Sequence, residues 1–175
     1  MLNNITNRKA ISSIILAPTR ELAIQVHDEL VKLAKYEKLN VVAVYGGAPI
    51  HNQIRDIKRA NIVVGTPGRV LDHIRRGTLP LDSVEFLVLD EADEMLNMGF
   101  IDDMEEIMKS IPEERQTLLF SATMPAQIKK LTKKYLKEDS VHIVIARKEL
   151  TGSTITQNFF EVNNSERFET LCRLI

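Results

Sequence analysis

Cysteine is almost absent from this chain of 175 residues, in which Cys172 is the only one. A single thiol excludes an internal disulfide and any metal site built on several cysteines. Histidine offers no replacement, because the four histidines are scattered without the spacing of metal ligands: His27, His51, His73 and His142. We expect a reducing, intracellular and cytoplasmic setting, with a nuclear location also open.

The chain also has no large excess of charge of either sign, since it contains 23 basic and 24 acidic residues. Bulk electrostatics therefore do not indicate a nucleic-acid binder, and any such site must be local. No apolar run approaches membrane-spanning length, and the residues after Met1 form no signal peptide. We expect no membrane association.

A third absence concerns phosphate binding. The pattern Gly-x-x-x-x-Gly-Lys-Ser/Thr requires a Gly-Lys pair, and no glycine of this chain is followed by lysine. Gly152-Ser153-Thr154 is the nearest imitation, but it lacks the lysine. We expect these 175 residues to lack the usual anchor for nucleotide phosphates.

Apolar runs and amphipathic stretches alternate along the chain, which predicts an α/β fold with a parallel sheet flanked by helices. The predicted strands are Ser13–Ala17, Val41–Tyr45, Ile62–Gly65, Val84–Leu89, Thr117–Phe120, Val141–Ile145 and Ile155–Val162. The predicted helices are Glu21–Tyr36 (with Leu22, Val26, Leu30 and Leu33 on its buried face), His51–Arg59, Arg69–Arg76, Ile101–Ser110, Ala126–Leu136 and Arg167–Ile175.

The stretch with the clearest chemistry is Phe86–Leu89 followed by Asp90, Glu91 and Asp93. It indicates a buried strand that delivers carboxylates to its C-terminal end, where open α/β sheets bind ligands. Carboxylates this close repel one another unless a cation or a hydrogen-bond donor lies among them, which favours a site for Mg²⁺ and phosphate. The alternative is an acidic helix N-terminus stabilised by the helix dipole.

Four further elements follow predicted strands: Pro18-Thr19-Arg20, Gly46-Gly47, Thr66-Pro67-Gly68-Arg69 and Ser121-Ala122-Thr123. The first three lie where a strand ends and a helix begins, so free N–H groups and the helix dipole attract phosphate. Glycine permits close approach of a sugar–phosphate backbone, and the two arginines add charge. Taken alone, Gly46-Gly47 is a simple turn and Ser121-Ala122-Thr123 a helix N-cap.

Together, in this order and spacing, these elements resemble the DEAD-box family of RNA-dependent ATPases and helicases. The resemblance implies a RecA-like sheet that is incomplete on its N-terminal side. It also implies three segments: residues 1–146 as a partial first RecA-like domain, 147–154 as a linker, and 155–175 as the start of a second domain. A parent protein would use ATP and Mg²⁺ and separate short RNA duplexes.

The resemblance also implies residue roles. Asp90 would hold Mg²⁺, through water, and Glu91 would polarise the attacking water. Asp93 would bond to Ser121 or Thr123 and couple the nucleotide site to RNA. The RNA backbone would be bound by Pro18, Thr19, Arg20, Gly46, Gly47, Thr66, Pro67, Gly68 and Arg69.

Three other features have two interpretations. Gln53 and Arg55 extend the RNA-binding face or belong to an exposed amphipathic helix. The lysines of the predicted helix Ala126–Leu136 form a solvated face or an RNA patch, and the former is favoured. Asp102, Asp103, Glu105 and Glu106 form a solvated helix turn or a second acidic site, and the former is favoured.

Two rival functions stay open at this point. One is a non-catalytic module that binds RNA or a protein partner and keeps the surface without the ATPase. The other is a different P-loop ATPase, such as a DNA helicase. The resemblance further implies that a strand outside this sequence would lie beside Thr117–Phe120. We therefore expect an exposed apolar sheet edge, marginal stability and edge-to-edge association.

Overall fold

The structure is a computed structural model that describes residues 1–2, 5, 10–145 and 158–174. The chain divides into two compact units, Met1–Ser140 and Val141–Ile175. The predicted boundary at 147–154 lies outside the described residues.

The first unit is built on a five-stranded, all-parallel sheet. Its strands are β1 (Ser13–Leu16), β2 (Val41–Val44), β3 (Ile62–Gly65), β4 (Phe86–Leu89) and β5 (Gln116–Leu119), in the order β2-β3-β1-β4-β5. Leu16 pairs with Gly65 on one side and with Leu89 on the other. All five strands therefore end at one edge of the sheet, and the predicted α/β, RecA-like sheet flanked by helices is confirmed.

Six helices connect and cover the strands within the described part of this unit. They are α1 (Arg20–Ala34), α2 (Ile50–Ile57), α3 (Pro67–Arg75), α4 (Ala92–Asn97), α5 (Ile101–Ser110) and α6 (Ala126–Tyr135). The strands and helices predicted in this unit all exist, with ends shifted by at most two residues. The short helix α4 was not among the predicted helices, but it is the helix with an acidic first turn that stood as the alternative interpretation after β4.

The two faces of the sheet are covered unequally. Ile14, Leu16, Leu87 and Leu89 point into one core, which is completed by apolar side chains of α2 to α6. Ile15, Val64 and Phe86 point into a second core, against α1 and the N-terminal residues Met1, Leu2 and Ile5. The continuous apolar strands therefore supply both cores, as parallel sheets do.

One predicted position on α1 is wrong. Leu22, Val26 and Leu30 are half-buried as expected, but Leu33 is 64% exposed, and Ala34 takes the buried position instead. The helix turns about 100° per residue, so Ala34 continues the row from Ala23 and Leu30, whereas Leu33 lies beside it.

The predicted strand Val141–Ile145 is also wrong. These residues are described, lie in the second unit, carry no strand and are exposed. A strand requires a hydrogen-bonded neighbour, and none of the described residues pairs with them. The same holds for residues 158–162 of the strand predicted at Ile155–Val162, whose first three residues lie outside the described part.

The described part of the second unit contains one helix, α7 (Arg167–Leu174). The prediction of a helix from Arg167 is confirmed up to Leu174. Phe168, Leu171 and Leu174 are exposed, so its apolar face has no partner within the described part of that unit.

Candidate functional site

The acidic segment lies where the sequence predicts it, directly after β4. The N–H of Asp90 donates to the Leu16 carbonyl at 2.9 Å, and the N–H of Ala92 donates to the Phe120 carbonyl at 3.0 Å. The segment is therefore fastened between the ends of β1 and β5. Asp90 is half-buried and Glu91 is exposed, so both carboxylates are accessible from solvent.

Glu91 has a left-handed backbone, with φ 50° and ψ 53°, at the N-cap of α4. For a residue with a Cβ this conformation costs about 1–2 kcal/mol. Strain of this kind persists where neighbouring structure enforces it, and it concentrates at functional sites. Here the bonds of Asp90 and Ala92 enforce it from both sides.

Asp93 is hydrogen-bonded to the segment after β5. Its Oδ2 accepts from the Thr123 hydroxyl at 2.6 Å and from the Thr123 N–H at 2.9 Å, and its Oδ1 accepts from the Ala122 N–H at 3.3 Å. The Asp93 N–H donates to Ser121 Oγ at 3.1 Å, and the Ser121 hydroxyl donates to the Thr123 carbonyl at 2.7 Å. The bond expected between Asp93 and Thr123 is present.

These contacts keep Asp93 ionised. Burial raises the pKa of the Asp93 carboxyl, but hydrogen bonds with the side chains of Thr123 and Ser121 and with the N–H groups of Thr123 and Ala122 outweigh it. The result is a pKa of about 2, below the ordinary 3.8. The cluster is therefore a charged link between the loops that follow β4 and β5 at neutral pH.

Asp90 also borders an apolar groove of about 320 Å³. The groove is lined by Ile15, Val88, Asp90, Phe120, and by Val26, Leu30 and Met1. Phe120 is 55% exposed there. The acidic segment therefore opens towards a surface on the face of the sheet that α1 and the N-terminal residues cover among the described residues.

The other three loops form a basic surface beside the acidic segment. Thr19 is the N-cap of α1, and its Oγ1 accepts from the Leu22 N–H at 3.2 Å. The Arg20 guanidinium lies over the Tyr45 ring, 4.9 Å from its centroid. A Cβ on Gly47, whose φ is +81°, would lie 3.8 Å from Arg20 Nη1. The loops after β1 and β2 therefore meet, with a guanidinium and exposed glycine backbone on one surface.

The N-terminus of α3 follows β3 at the same edge. Thr66 is its N-cap but makes no side-chain capping bond, and Pro67 occupies the first helical turn. Gly68 is exposed, and a Cβ there would lie 3.6 Å from an Asp103 carboxylate oxygen. The helix N-terminus suits an anion, and Asp103 adds a negative charge beside it.

Arg69 does not simply project into solvent. Its Nη1 donates to the Ala48 carbonyl and to Gln53 Oε1, each at 3.0 Å. Gln53 is only 6% exposed, so its interpretation as part of an exposed helix face is wrong. Arg55 is exposed and pairs with Asp56.

Sequence reasoning missed His73, which is fully buried between Gln53 and Thr78. Its spacing of four residues from Arg69 placed both side chains on one face of α3, which was the available signal. The contact of Arg20 with the Tyr45 ring was also missed, because no pattern in the sequence indicates it.

Two charged groups interpreted as solvated also form ion pairs at the surface. Glu105 accepts from Lys134 at 2.7 Å and from the Tyr135 hydroxyl at 3.1 Å, and Glu106 forms a two-bond ion pair with Arg75. Asp102 and the other lysines of α6 remain exposed or half-exposed. The contacts of Glu105 link α5 to α6, and the Glu106–Arg75 pair links α5 to α3. Neither involves the acidic segment.

Metal ligands are few in the described part of the chain, where no three His, Cys, Asp or Glu side chains gather. Mg²⁺ commonly keeps several waters and binds one or two carboxylates together with substrate phosphates. The accessible Asp90 carboxylate fits that mode of binding. In the same part of the chain, no helix is long and apolar enough to cross a bilayer.

Comparison with known proteins decides the family. The model of the family described as DEAD/DEAH box helicase matches residues 1–131. The chain belongs to the DEAD/DEAH box helicase family. The resemblance drawn from the five sequence elements is thereby confirmed.

Individual relatives agree with this assignment. The chain is 56% identical over 166 residues to the ATP-dependent RNA helicase CshA of Listeria monocytogenes, covering 94% of this chain and 32% of the relative. It is 52% identical over 166 residues to the DEAD-box ATP-dependent RNA helicase CshA of Bacillus subtilis, covering 94% and 33%. The chain thus spans about a third of the length of these curated relatives.

A solved structure agrees as well. The crystal structure of a DEAD box protein from the hyperthermophile Methanococcus jannaschii matches with a TM-score of 0.78 and 51% sequence identity. The match covers 99% of this chain and 46% of that one.

Proposed function

We propose that this chain supplies the acidic segment and half of the RNA-binding surface of an ATP-dependent RNA helicase. In a longer protein, the helicase would couple RNA-dependent hydrolysis of ATP to local separation of short duplexes. The observation that supports this best is the hydrogen-bonded link from Asp93 to Thr123, beside Asp90 and Glu91 at the edge where all five strands end. The proposed setting is cytoplasmic.

Hydrolysis requires charge neutralisation on the phosphates and an orienter for the attacking water. Asp90 would hold Mg²⁺ through water, and the ion would supply neutralisation of the phosphate oxygens. Glu91 would accept a hydrogen bond from the attacking water and polarise it. Its left-handed backbone sets the direction of that carboxylate relative to Asp90.

The proposed coupling runs through Asp93. Because it binds Ser121, Ala122 and Thr123 with both oxygens and its N–H, a shift of the acidic segment moves the loop after β5 with it. An ionised carboxylate makes stronger hydrogen bonds than a neutral one, so the link is stiff at neutral pH. This assigns Ser121 and Thr123 to coupling, and Asp90 and Glu91 to chemistry.

The RNA contacts would be to the sugar–phosphate backbone, from the loops Pro18-Thr19-Arg20, Gly46-Gly47 and Thr66-Pro67-Gly68-Arg69. Contacts of this type position a strand without reading its bases. A preference for RNA over DNA would come from 2′-hydroxyl contacts. For the 175 residues alone we propose weak RNA binding and no ATP turnover, because they contain no Gly-Lys phosphate anchor.

A chimaera tests this function. The 175 residues replace the matching segment of the solved M. jannaschii protein, to which they are 51% identical. We expect RNA-stimulated ATP hydrolysis, which Glu91→Gln largely stops while ATP and RNA still bind, since the amide keeps the shape and loses the charge. Loss of ATP binding in that variant would contradict the role of Glu91.

The coupling assignment has its own variant in the same chimaera. Ser121→Ala combined with Thr123→Ala is expected to spare ATP hydrolysis more than duplex unwinding, because it removes hydroxyls that hold Asp93 and its loop. Equal loss of both activities would reassign these hydroxyls to the nucleotide site.

A second candidate function is a non-catalytic RNA- or partner-binding module. The observation that favours it is that the Tyr45 and Ala48 carbonyls of the basic surface are hydrogen-bonded within this chain, whereas the acidic segment borders an open groove. In the chimaera a helicase domain is expected to bind RNA more tightly with ATP present. A module would bind RNA equally with and without nucleotide.

A further inference from the structure

The loop between β2 and α2 is held from the inside by two helices. The Tyr45 carbonyl accepts from Gln53 Nε2 at 3.0 Å, and the Ala48 carbonyl accepts from Arg69 Nη1 at 3.0 Å. These carbonyls flank Gly46 and Gly47, so the loop is fixed at both of its ends. Glycine is otherwise the least restricted residue, which makes the two bonds decisive for the loop's shape.

The two donors are themselves fixed by each other. Gln53 Oε1 accepts from the same Arg69 Nη1 at 3.0 Å and lies 3.0 Å from His73 Nε2. Because the Gln53 amide nitrogen is engaged with Tyr45, its oxygen faces both neighbours, and His73 Nε2 must carry the proton. His73 is thereby the donor that closes the network.

The far side of His73 is also occupied. Its Nδ1 lies 2.9 Å from Thr78 Oγ1, whose hydroxyl is 3.1 Å from the His73 carbonyl. Burial and the nearby Arg69 charge lower the pKa of His73 below its usual 6.5, although Asp72 opposes this. In a neutral ring with its proton on Nε2, His73 donates to Gln53, and its Nδ1 competes with the His73 carbonyl for the single Thr78 hydroxyl proton.

The inner and outer sides of the loop differ sharply. Gln53 and His73 are 6% and 0% exposed, whereas Gly46 and Gly47 are exposed. On the outer side, Arg20 stacks on Tyr45 and lies beside Gly47. The buried bonds also turn two carbonyl oxygens inward, away from any phosphate that approaches the glycines.

We propose that the buried Gln53 and His73, together with the half-buried Arg69, form a clamp that sets the shape of the Tyr45–Ala48 loop and thereby its affinity for an RNA backbone. The three are positioning residues, and Arg69 acts through the Ala48 and Gln53 bonds rather than as a phosphate ligand. The clamp rests on the proposed function, since it deepens the role of the same RNA-binding surface.

The first test measures binding of a fluorescent single-stranded RNA to the 175-residue chain across a series of salt concentrations. Gln53→Leu removes both functions of the amide without a change of charge, and is expected to weaken binding roughly fivefold to tenfold. Asn52→Leu is the matched control, because Asn52 is exposed on the same helix and is expected to bind as the wild type does.

The salt dependence separates a clamp from a ligand. Each phosphate contact contributes about one unit to the slope of log affinity against log salt. Arg20→Ala is expected to reduce the slope by about one unit, whereas Arg69→Gln is expected to weaken binding with the slope unchanged. A slope reduced equally by Arg69→Gln would make Arg69 a direct ligand and overturn its place in the clamp.

Two substitutions at His73 distinguish loss of its hydrogen bond to Gln53 from general destabilisation of the fold. His73→Leu removes the donor to Gln53, and His73→Gln supplies an amide N–H in its place. We expect His73→Gln to recover most of the RNA affinity that His73→Leu loses. Equal loss in both, with native circular dichroism, would contradict the proposed donor role of His73.

Hydrogen exchange supplies a readout that does not depend on RNA. In Gln53→Leu, amide exchange is expected to accelerate in residues 45–48 and to remain slow in β1. A chain that binds no RNA but shows this local change would refute the proposed function and keep the clamp. A chain that binds RNA while Gln53→Leu neither loosens the loop nor weakens binding would refute the clamp and keep the function.

Discussion

The two halves of the sheet edge that carries the site are built differently. At the ends of β1, β2 and β3, the basic surface is hydrogen-bonded from within: Gln53 and Arg69 hold the loop carbonyls, and Arg20 stacks on Tyr45. At the ends of β4 and β5, Glu91 is strained, Phe120 is exposed, and Asp90 borders an apolar groove.

The difference distinguishes the loops proposed to bind RNA from the site proposed to hydrolyse ATP. Phosphate-binding loops need a fixed backbone and local positive charge, and the described residues supply both. Phosphoryl transfer needs an anchored nucleotide, and no Gly-Lys pair is present in the 175 residues. We therefore expect this chain to bind RNA without hydrolysing ATP.

The largest expected effect is on catalysis. We predict that the purified 175-residue chain shows no RNA-stimulated ATP hydrolysis above background, because Asp90 and Glu91 have no phosphate anchor beside them. Steady-state phosphate release with and without RNA measures this. ATP turnover that Glu91→Gln abolishes would mean that the residues after β4 and β5 can support hydrolysis without a Gly-Lys phosphate anchor.

The open edge of β5 is expected to cause self-association. The Gln116 and Phe120 N–H groups donate to β4, so by the alternation of a parallel strand those of Thr117 and Leu119 face outward. We predict concentration-dependent association of the chain through this edge, which Thr117→Pro weakens because it removes one outward donor. Sedimentation velocity over a range of concentrations measures it.

The opposite edge provides the matched control. The Val44 and Asn40 carbonyls accept from β3, so the Ala43 N–H faces outward on β2 by the same alternation. Ala43→Pro also removes one outward donor, but β2 is flanked by α1 and α2. We expect it to leave association unchanged, and a monomeric wild-type chain would refute the comparison.

Acid is expected to weaken the hydrogen-bonded link between the loops that follow β4 and β5. The pKa of Asp93 is about 2 in the folded chain and 3.8 ordinarily, so its stabilisation is complete above pH 3.8 and lost as the pH falls towards 2. After allowance for its partial exposure this amounts to about 1 kcal/mol. Urea unfolding between these pH values measures it, and Asp93→Asn should flatten the dependence in that window.

A smaller effect is expected at Glu91. Glycine tolerates the left-handed backbone, whereas alanine does not, so Glu91→Gly should be more stable than Glu91→Ala by about 1 kcal/mol. Both variants lack the carboxylate, so the comparison isolates the backbone. Equal free energies of unfolding in urea would show that the backbone at Glu91 is not strained.

The sequence predicted the parts of the fold that depend on local pattern. Buried apolar runs identified the five strands, and acids or glycines directly after them located the edge of the site. Parallel sheets impose both rules on any sequence that forms them. A bond from Asp93 to Ser121 or Thr123 was implied by the resemblance to the DEAD-box family, and the bond to Thr123 is present.

What the sequence did not reveal depends on contacts between distant residues. Gln53 and His73 lie on different helices, and no local pattern indicates that α2 and α3 bring their side chains together. Val141–Ile145 has the composition of a strand, but strand formation needs a neighbour that composition cannot specify. Leu33 and Ala34 differ by one helical position, which a pattern of apolar residues does not resolve.

The most direct test of the account is RNA affinity of the 175-residue chain, measured by fluorescence anisotropy for two single strands of different base composition over a series of salt concentrations. We predict equal affinities for the two strands, a steep linear fall of log affinity with log salt, and a slope reduced by about one unit in Arg20→Ala. Sharp discrimination between the two sequences, or a lack of binding at low salt, would contradict the claim that this chain supplies half of a surface that binds the RNA backbone.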